Sequence, residues 1–395
     1  MRGPGPGKLT QLIRYDRAVA GYICTMRRMP ALDGLRALAI CGVIGYHLQL
    51  GWISGGCLGV DLFFVLSGFL ITTLLIEQRG PLRDFWVRRV RRLLPALFVL
   101  VLGTLALSTL VLPHHGIGEH RLTGDAFAAV FYYANWHVIY LDQQPSPLQH
   151  TWSLSIEEQF YVVWPLALLL LLRLRGWRTA GLVCCGLGAV LSMTEMALLY
   201  QPGHVGQLRA YCGTDSHGFA LLVGCFLAFL TVGREPVPRV RKTLHAVGPV
   251  ALVGLLCFWV VGGAGPDLPA GWMYLGGFQV CAVLAAAVLG DAQLADQGAL
   301  GRVFSLRPLV WLGQVSYGVY LWHAAVIFYL ARIKGARAGV EFDLSVIVAT
   351  LALASASFYL VERPIRRYGR RITAGPGSLR SDAPLAASPG STGNG

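Results

Sequence analysis

Charge is what this sequence has little of. Only 13% of its 395 residues are Asp, Glu, Lys or Arg, against about a quarter in an ordinary soluble domain, while 55% are hydrophobic and the mean hydropathy is +0.56. Apolar runs near the ~20 residues needed to cross a ~30 Å hydrocarbon core recur along almost the whole length. That excludes a separate soluble domain and places the chain in the membrane class. The sequence also lacks Cys-x-x-Cys or any ligand-like spacing. Its nine cysteines are scattered, mostly inside apolar runs (Cys41, Cys184, Cys185, Cys225, Cys257, Cys281). This speaks against disulfides and a metal site, and makes them small apolar packing residues. No amphipathic basic face is present: the net charge of +13 sits in short clusters between apolar segments. Those clusters read as topology determinants, not as a nucleic-acid surface. Residues 1–30 are polar and basic (Lys8, Arg14, Arg17, Arg27, Arg28) but have neither the apolar core nor the cleavage site of a signal peptide, and Met26 and Met29 are alternative starts.

What is there is a series of apolar segments at about 32–51, 57–77, 93–112, 125–141, 154–172, 179–200, 216–232, 246–264, 272–290, 309–331 and 344–361. The basic runs Arg79–Arg92, Arg173–Arg178, Arg234–Lys242 and Arg363–Arg371 all reach the cytoplasm, as short basic loops do, only if one segment fails to cross. The weakest is 125–141, which holds Asp125, Asn135 and His137. The expected fold is therefore an all-α polytopic bundle of about ten spanning helices, with 125–141 re-entrant or interfacial and both termini cytoplasmic. Arg332, Lys334 and Arg337 then fall on the opposite, outer side, against the rule. Residues 31–371 form the membrane domain, and the Gly/Ser/Pro/Ala-rich tail 372–395 is expected to be disordered.

Several polar groups interrupt this apolar background. Arg36 and His47 lie 11 positions apart, close to three helical turns, so they share a face ~16 Å apart along the axis. An ionisable group inside a span is a functional candidate, although Arg36 snorkelling to the interface and His47 bonding a neighbouring helix would be structural readings. Asp61, near the start of the second segment, reads either as the acid that orients an imidazole or as a helix N-terminal charge. In Phe85–Pro95, Arg88, Arg89, Arg91 and Arg92 crowd the mouth of a helix. They are a cytoplasmic anchor on charge alone, yet Arg89 and Arg92 at i, i+3 share a face suited to phosphate. His150–Tyr161 packs Ser153, Ser155, Glu157, Glu158 and Gln159 into the entry of an apolar helix. Capping explains Ser153 and one glutamate, but not two adjacent glutamates entering hydrocarbon. Ser316, Tyr320 and His323 share a face mid-span, where a structural hydrogen bond competes with a role.

Taken in order, Leu32-Asp-Gly-Leu-Arg36-Ala with His47, Val60-Asp-Leu-Phe-Phe-Val-Leu-Ser-Gly-Phe69, the Arg-Arg-x-x-Arg-Leu-Leu-Pro run ending at Pro95, Trp152-Ser-Leu-Ser-Ile-Glu-Glu-Gln-Phe-Tyr161 and Ser316-Tyr-Gly-Val-Tyr-Leu-Trp-His323 resemble the acyltransferase 3 family of membrane O-acyltransferases over about residues 31–367. The resemblance implies acyl transfer from acyl-CoA, acetyl-CoA first, to a hydroxyl of a carbohydrate, or of a macrolide-type antibiotic in tailoring enzymes. It implies that His47 is the essential histidine with Arg36 its partner, and that Arg88, Arg89 and Arg92 hold the donor. Asp61 or Glu157 then stabilises charge on His47, which acts as general base or as transient acyl carrier. Ser153, Glu158, Tyr320 and His323 support the site. The inside–outside assignment places the arginines at the cytoplasmic end and His47, Asp61 and Glu157 in the outer half. Two departures stand out. His217 occupies the place of the arginine in the family's Thr-Asp-x-Arg segment, Thr214–His217, which leaves that arginine's role open. The fused esterase-like domain of some members is not expected here.

His120-Arg-Leu-Thr-Gly-Asp125 also matches the His-x4-Asp pattern of glycerolipid acyltransferases, a two-residue pattern common by chance and sited away from the arginines. A transporter is the rival class, but the two halves show no repeat and no matched Gly/Pro breaks. The Ala/Gly/Arg-rich, Lys-poor composition suggests a GC-rich bacterium, hence a bacterial plasma membrane.

Overall fold

The computed structural model describes residues 29–77, 80–110, 119–141, 146–232, 238–263, 269–293, 298–335 and 339–373. The basic segment up to residue 28, the tail from 374, and Arg234 and Arg337 lie outside them. Among the described residues there is no strand, only an isolated bridge between Gly263 and Pro269. The long helices are α1 (Pro30–His47), α2 (Gly59–Glu77) and α3 (Leu82–Leu110), then the short pair α4 (Glu119–Val130) and α5 (Ala134–Tyr140). They continue with α6 (Trp152–Leu172), α7 (Trp177–Leu199), the short α8 (His204–Cys212), α9 (Phe219–Thr231), α10 (Pro238–Val261) and α11 (Phe278–Gln293). The chain ends on α12 (Arg307–Lys334), α13 (Val340–Ser357) and α14 (Arg363–Thr373).

Eight helical stretches are long and apolar enough to cross a membrane: Gly56–Glu77, Leu82–Thr109, Gln149–Leu172, Trp177–Leu199, Thr214–Thr231, Pro238–Val261, Met273–Gln293 and Val340–Tyr368. The two remaining segments of the expected ten, α1 and α12, are not among these eight. Both carry polar residues along their length, including Arg36 and His47 on one and Gln314, Ser316 and His323 on the other. They pack side by side: Leu35, Ile40 and Val43 of α1 and Val315, Val319 and Leu321 of α12 are fully or almost fully buried. Helices at the periphery behave oppositely. Val183, Leu187, Val190 and Leu191 of α7, Val250, Val253 and Val260 of α10, and Leu344 and Val348 of α13 are exposed. Apolar outside and polar within is the arrangement hydrocarbon demands, because a polar group facing lipid has no partner.

The segment 125–141 is the short pair α4 and α5, joined through Tyr132, a non-glycine residue at φ 54°. Neither helix is long enough to span. Of the basic residues at the end of α12, Lys334 bonds Glu341 at 2.9 Å and Ser345 at 3.0 Å, and the Arg332 guanidinium lies 3.5 Å from the centre of the Phe328 ring. The acid in the first turn of α13 thus offsets one of the two charges that the topology rule left unexplained.

Closest approach occurs where α2 crosses α9. A methyl group at Gly68 would strike the Leu221 carbonyl, and one at Gly224 would strike the Val65 carbonyl. The absence of side chains there lets the backbones touch, as small residues do between membrane helices. Replacing Gly224 by Val is expected to cost about 1–3 kcal/mol through forced separation of the two helices. It would read as a lowered midpoint of thermal unfolding in detergent, and an unchanged midpoint would refute the tight crossing.

Candidate active site

One cavity of about 560 Å³ runs through the centre of the bundle. At one end it is lined by Asp33, Arg36, Arg89 and Arg92, and at the other by Ser153, Ser316 and Tyr320, with Phe63, Phe64, Leu70, Ile71, Leu74 and Phe85 between them. Helix geometry explains the basic end. Positions 89 and 92 fall on one face of α3, whereas 88 is turned by about 100°. Arg88 accordingly lines a separate cleft of about 280 Å³ with Asp84, Pro165 and Trp177, so it is not brought to the donor end with the other two.

Each buried charge at the basic end has an answering group. Arg36 bonds Asp33 one turn earlier at 2.5 Å. Arg89 donates from Nε to Glu158 at 3.1 Å and lies 3.2 Å from the centre of the Tyr161 ring. Glu157 accepts a hydrogen bond from the Ser67 hydroxyl at 2.7 Å, lines the same cavity and faces Arg89. Glu157 therefore belongs with the arginines, not beside His47 as the inside–outside assignment had it. The reason is that a charge in a dry interior is tolerated only next to its opposite, and the cations are Arg89 and Arg92.

The far end of the cavity is closed by a hydroxyl pair: Ser153 and Tyr320 share a 2.5 Å hydrogen bond, and Tyr320 donates to the His150 carbonyl at 2.9 Å. Just beyond lie three imidazoles. His323 is 4.8 Å from His47 and 5.2 Å from His150 between ring centres, and His150 and His323 both lie against the Tyr320 ring, at 5.6 and 5.4 Å. His47 is exposed, whereas His150 and His323 are buried.

Local structure accounts for the position of His47. It is the last residue of α1, which ends with Leu50 N–H on the Gly45 carbonyl at 3.1 Å and Gln49 N–H on the Tyr46 carbonyl at 3.0 Å. That is a Schellman ending with a glutamine at φ 56° in the position that favours glycine. Its Nδ1 lies 2.8 Å from the Val43 carbonyl. A carbonyl only accepts, so Nδ1 carries the proton and Nε2 of the neutral ring keeps its lone pair.

Asp61 has another partner than the expected one. Its Oδ1 lies 3.0 Å from Nε2 of His217, whose Nδ1 meets the Tyr211 carbonyl at 2.6 Å, and both residues are almost completely buried. Since both neighbours of His217 are oxygen acceptors, Nδ1–H donates to the carbonyl and one further proton is shared with Asp61, leaving the pair neutral overall. Trp152 and Phe219 stack on the two sides of that ring, at 5.9 and 5.6 Å. The histidine at the departure from the family pattern is thus the residue that answers Asp61. Asp125, the acid of the short decoy pattern, is engaged by His137 at 3.0 Å.

Two features escaped sequence reasoning. His150 was legible only as the first residue of the polar run, with no signal of its own. The Gln159 amide joins Asn135 at 3.0 Å and accepts from Thr214 at 2.5 Å, and Asn135 donates to the Cys212 carbonyl at 3.2 Å, tying α5 and α6 to the turn before α9. These partners lie far apart in sequence, where periodicity says nothing.

A family model described as an acyltransferase domain matches residues 29–361. A putative peptidoglycan O-acetyltransferase of Bacillus subtilis is 39% identical over 365 residues, 87% of this chain and 56% of the relative. The peptidoglycan O-acetyltransferase of Listeria monocytogenes is 38% identical over 86% of this chain and 56% of its own length, and a putative O-acetyltransferase of Staphylococcus aureus is 36% identical over 87% and 58%. The chain spans a little over half the length of these relatives. No solved structure matches it significantly.

Removing one member of a buried ion pair strands the other. Asp61→Ala is expected to lower stability by about 3–5 kcal/mol, and the double variant Asp61→Ala/His217→Ala by clearly less than the sum of the two single losses. Denaturant unfolding in detergent measures both, and strict additivity would contradict the pairing.

Proposed function

Because the chain belongs to the acyltransferase 3 family, matched over residues 29–361, we propose that it is a membrane-embedded O-acyltransferase. It moves an acyl group, acetyl in the first instance, from acyl-CoA to a hydroxyl of a carbohydrate. The observation that carries this reading is the single cavity leading from Arg36, Arg89 and Arg92 to Ser153 and Tyr320, against which the histidines lie. A donor with phosphates at one end and a thioester at the end of a long flexible arm matches that separation of charge from chemistry. Arg92 and Arg89 offer the planar, multidentate donors that phosphate takes. The apolar wall of Phe63, Phe64 and Leu70 suits the arm.

At the other end His47 Nε2 accepts the proton of the acceptor hydroxyl as its oxygen attacks the thioester carbonyl. The same lone pair also suits a transient acyl-imidazole. Ser153 and Tyr320, held against each other, place hydroxyls where the thioester carbonyl arrives. Asp61 is engaged elsewhere, so in this reading it holds α2 to the turn before α9 and does not polarise His47.

The acceptor follows from the relatives: those named above are peptidoglycan or unspecified O-acetyltransferases, which favours a cell-wall glycan, and no observation favours a macrolide. With both termini cytoplasmic, the arginine end opens to the cytoplasmic acyl-CoA pool and His47 faces outward.

The test is acyl transfer by protein in lipid nanodiscs supplied with acetyl-CoA and a glycan fragment, following thiol release. His47→Ala is expected to lose about 10²–10⁴-fold in kcat, and full activity in a normally accumulating His47→Ala protein would overturn the reading. Arg92→Gln is expected to raise KM for acetyl-CoA by about tenfold or more, the value of a charge-assisted hydrogen bond, and more than Arg88→Gln does.

A further inference from the structure

Neither ring nitrogen of His150 makes a hydrogen bond of ordinary geometry among the described residues, although the ring is only 5% exposed. Its nearest backbone polar groups are those of Leu321 and Pro147. His323, which is fully buried, bonds the Tyr320 carbonyl through Nδ1 at 2.5 Å and leaves Nε2 without a partner. An unsatisfied buried polar group costs roughly 1–3 kcal/mol, and an apolar side chain would fill this space without that penalty. Packing alone therefore does not account for two imidazoles here. Nor does metal binding: no group of three His, Cys, Asp or Glu among the described residues is arranged to hold an ion.

Position supplies the account. The reaction proposed above consumes a proton at one place and needs it at another. His47, exposed beyond the cavity's far end, takes it from the acceptor, whereas the sulfur that must receive it arrives through the cavity that ends at Ser153 and Tyr320. His150 and His323 lie between those places. Both flank Tyr320, His323 contacts His47 edge-on, and the successive rings are 4.8 and 5.2 Å apart. At such separations ring nitrogens are bridged directly or through one water. His47 and His323 each commit Nδ1–H to a backbone carbonyl, so each keeps Nε2 as the proton-accepting nitrogen. The titratable groups facing His150 are His47, His323 and Tyr320.

We propose that His150 and His323 form an imidazole relay with His47, which returns to the departing thiolate the proton taken from the acceptor hydroxyl. This rests on the acyl-transfer reading. The hydroxyl gives its proton to His47 Nε2 as its oxygen bonds the thioester carbon. The C–S bond then breaks, the electron pair leaves on sulfur, and the proton passes through His323 and His150 to that sulfur. The products are the ester and free coenzyme A thiol. All three imidazoles end neutral, and no further reagent is required.

The experiment compares wild type, His150→Gly and His150→Gln in nanodiscs with acetyl-CoA and a glycan fragment, each at equal folded amount. In both variants kcat is expected to fall about 100-fold, with KM for acetyl-CoA within about twofold of wild type. Added imidazole restores about tenfold or more in His150→Gly. Pyrrole, which has the same ring size but no basic nitrogen, does not. Retained kcat in either variant, or equal rescue by pyrrole, overturns the relay while leaving acyl transfer standing. A wild type that acylates no hydroxyl acceptor overturns the acyl-transfer reading, and the relay with it.

Discussion

The interaction on which the rest of this bundle depends is the pairing of buried charge. In hydrocarbon an isolated ion is costly and an ion beside its opposite is tolerated. Arg36 with Asp33, Arg89 with Glu158, and His217 with Asp61 are the working solutions. Two of these three join helices far apart in the chain, so satisfying the charge also sets the packing. The Arg89–Glu158 contact brings α3 to α6, and the Asp61–His217 contact holds α2 against the turn that opens α9.

This constraint also explains why α1 and α12 sit in the middle. A helix carrying Arg36 and His47, or Ser316, Tyr320 and His323, cannot face lipid along that side, whereas α7, α10 and α13, with their exposed valines and leucines, can. The polar helices are thus driven inward, and their polar faces meet around a central space. The cavity results from the same force that orders the helices. The close crossing at Gly68 and Gly224 packs α2 and α9 tightly while α2 presents Phe63, Ser67 and Leu70 to the cavity.

The two ends of the cavity then differ in kind. The arginine end is balanced by carboxylates within reach, a setting in which an arriving phosphate competes with Glu158 and Glu157 for the guanidinium groups. The far end holds hydroxyls and imidazoles and no carboxylate bonded to His47. Proton transfer there depends on neutral rings, oriented by the backbone carbonyls of Val43 and Tyr320. The strained Gln49 that ends α1 keeps His47 at the last turn of its helix.

Much of this was legible in the sequence. All eleven apolar segments are helical, because a run of apolar residues that must satisfy its backbone inside a membrane has few other choices, and 125–141 was legible as the segment that does not cross. The common face of Arg36 and His47, the divergence of Arg89 and Arg92 from Arg88, and the polar entry of α6 are consequences of a 3.6-residue period and short range. What only the tertiary structure decided is which groups meet. Asp61 finds His217 across 156 positions, Ser153 finds Tyr320 across 167, and Glu157 lies with the arginines instead of His47. Helical periodicity assigns a residue to a face and a depth, but not to a neighbour. The neighbour is chosen when the helices rotate and close until every buried charge and hydroxyl has found the least costly partner.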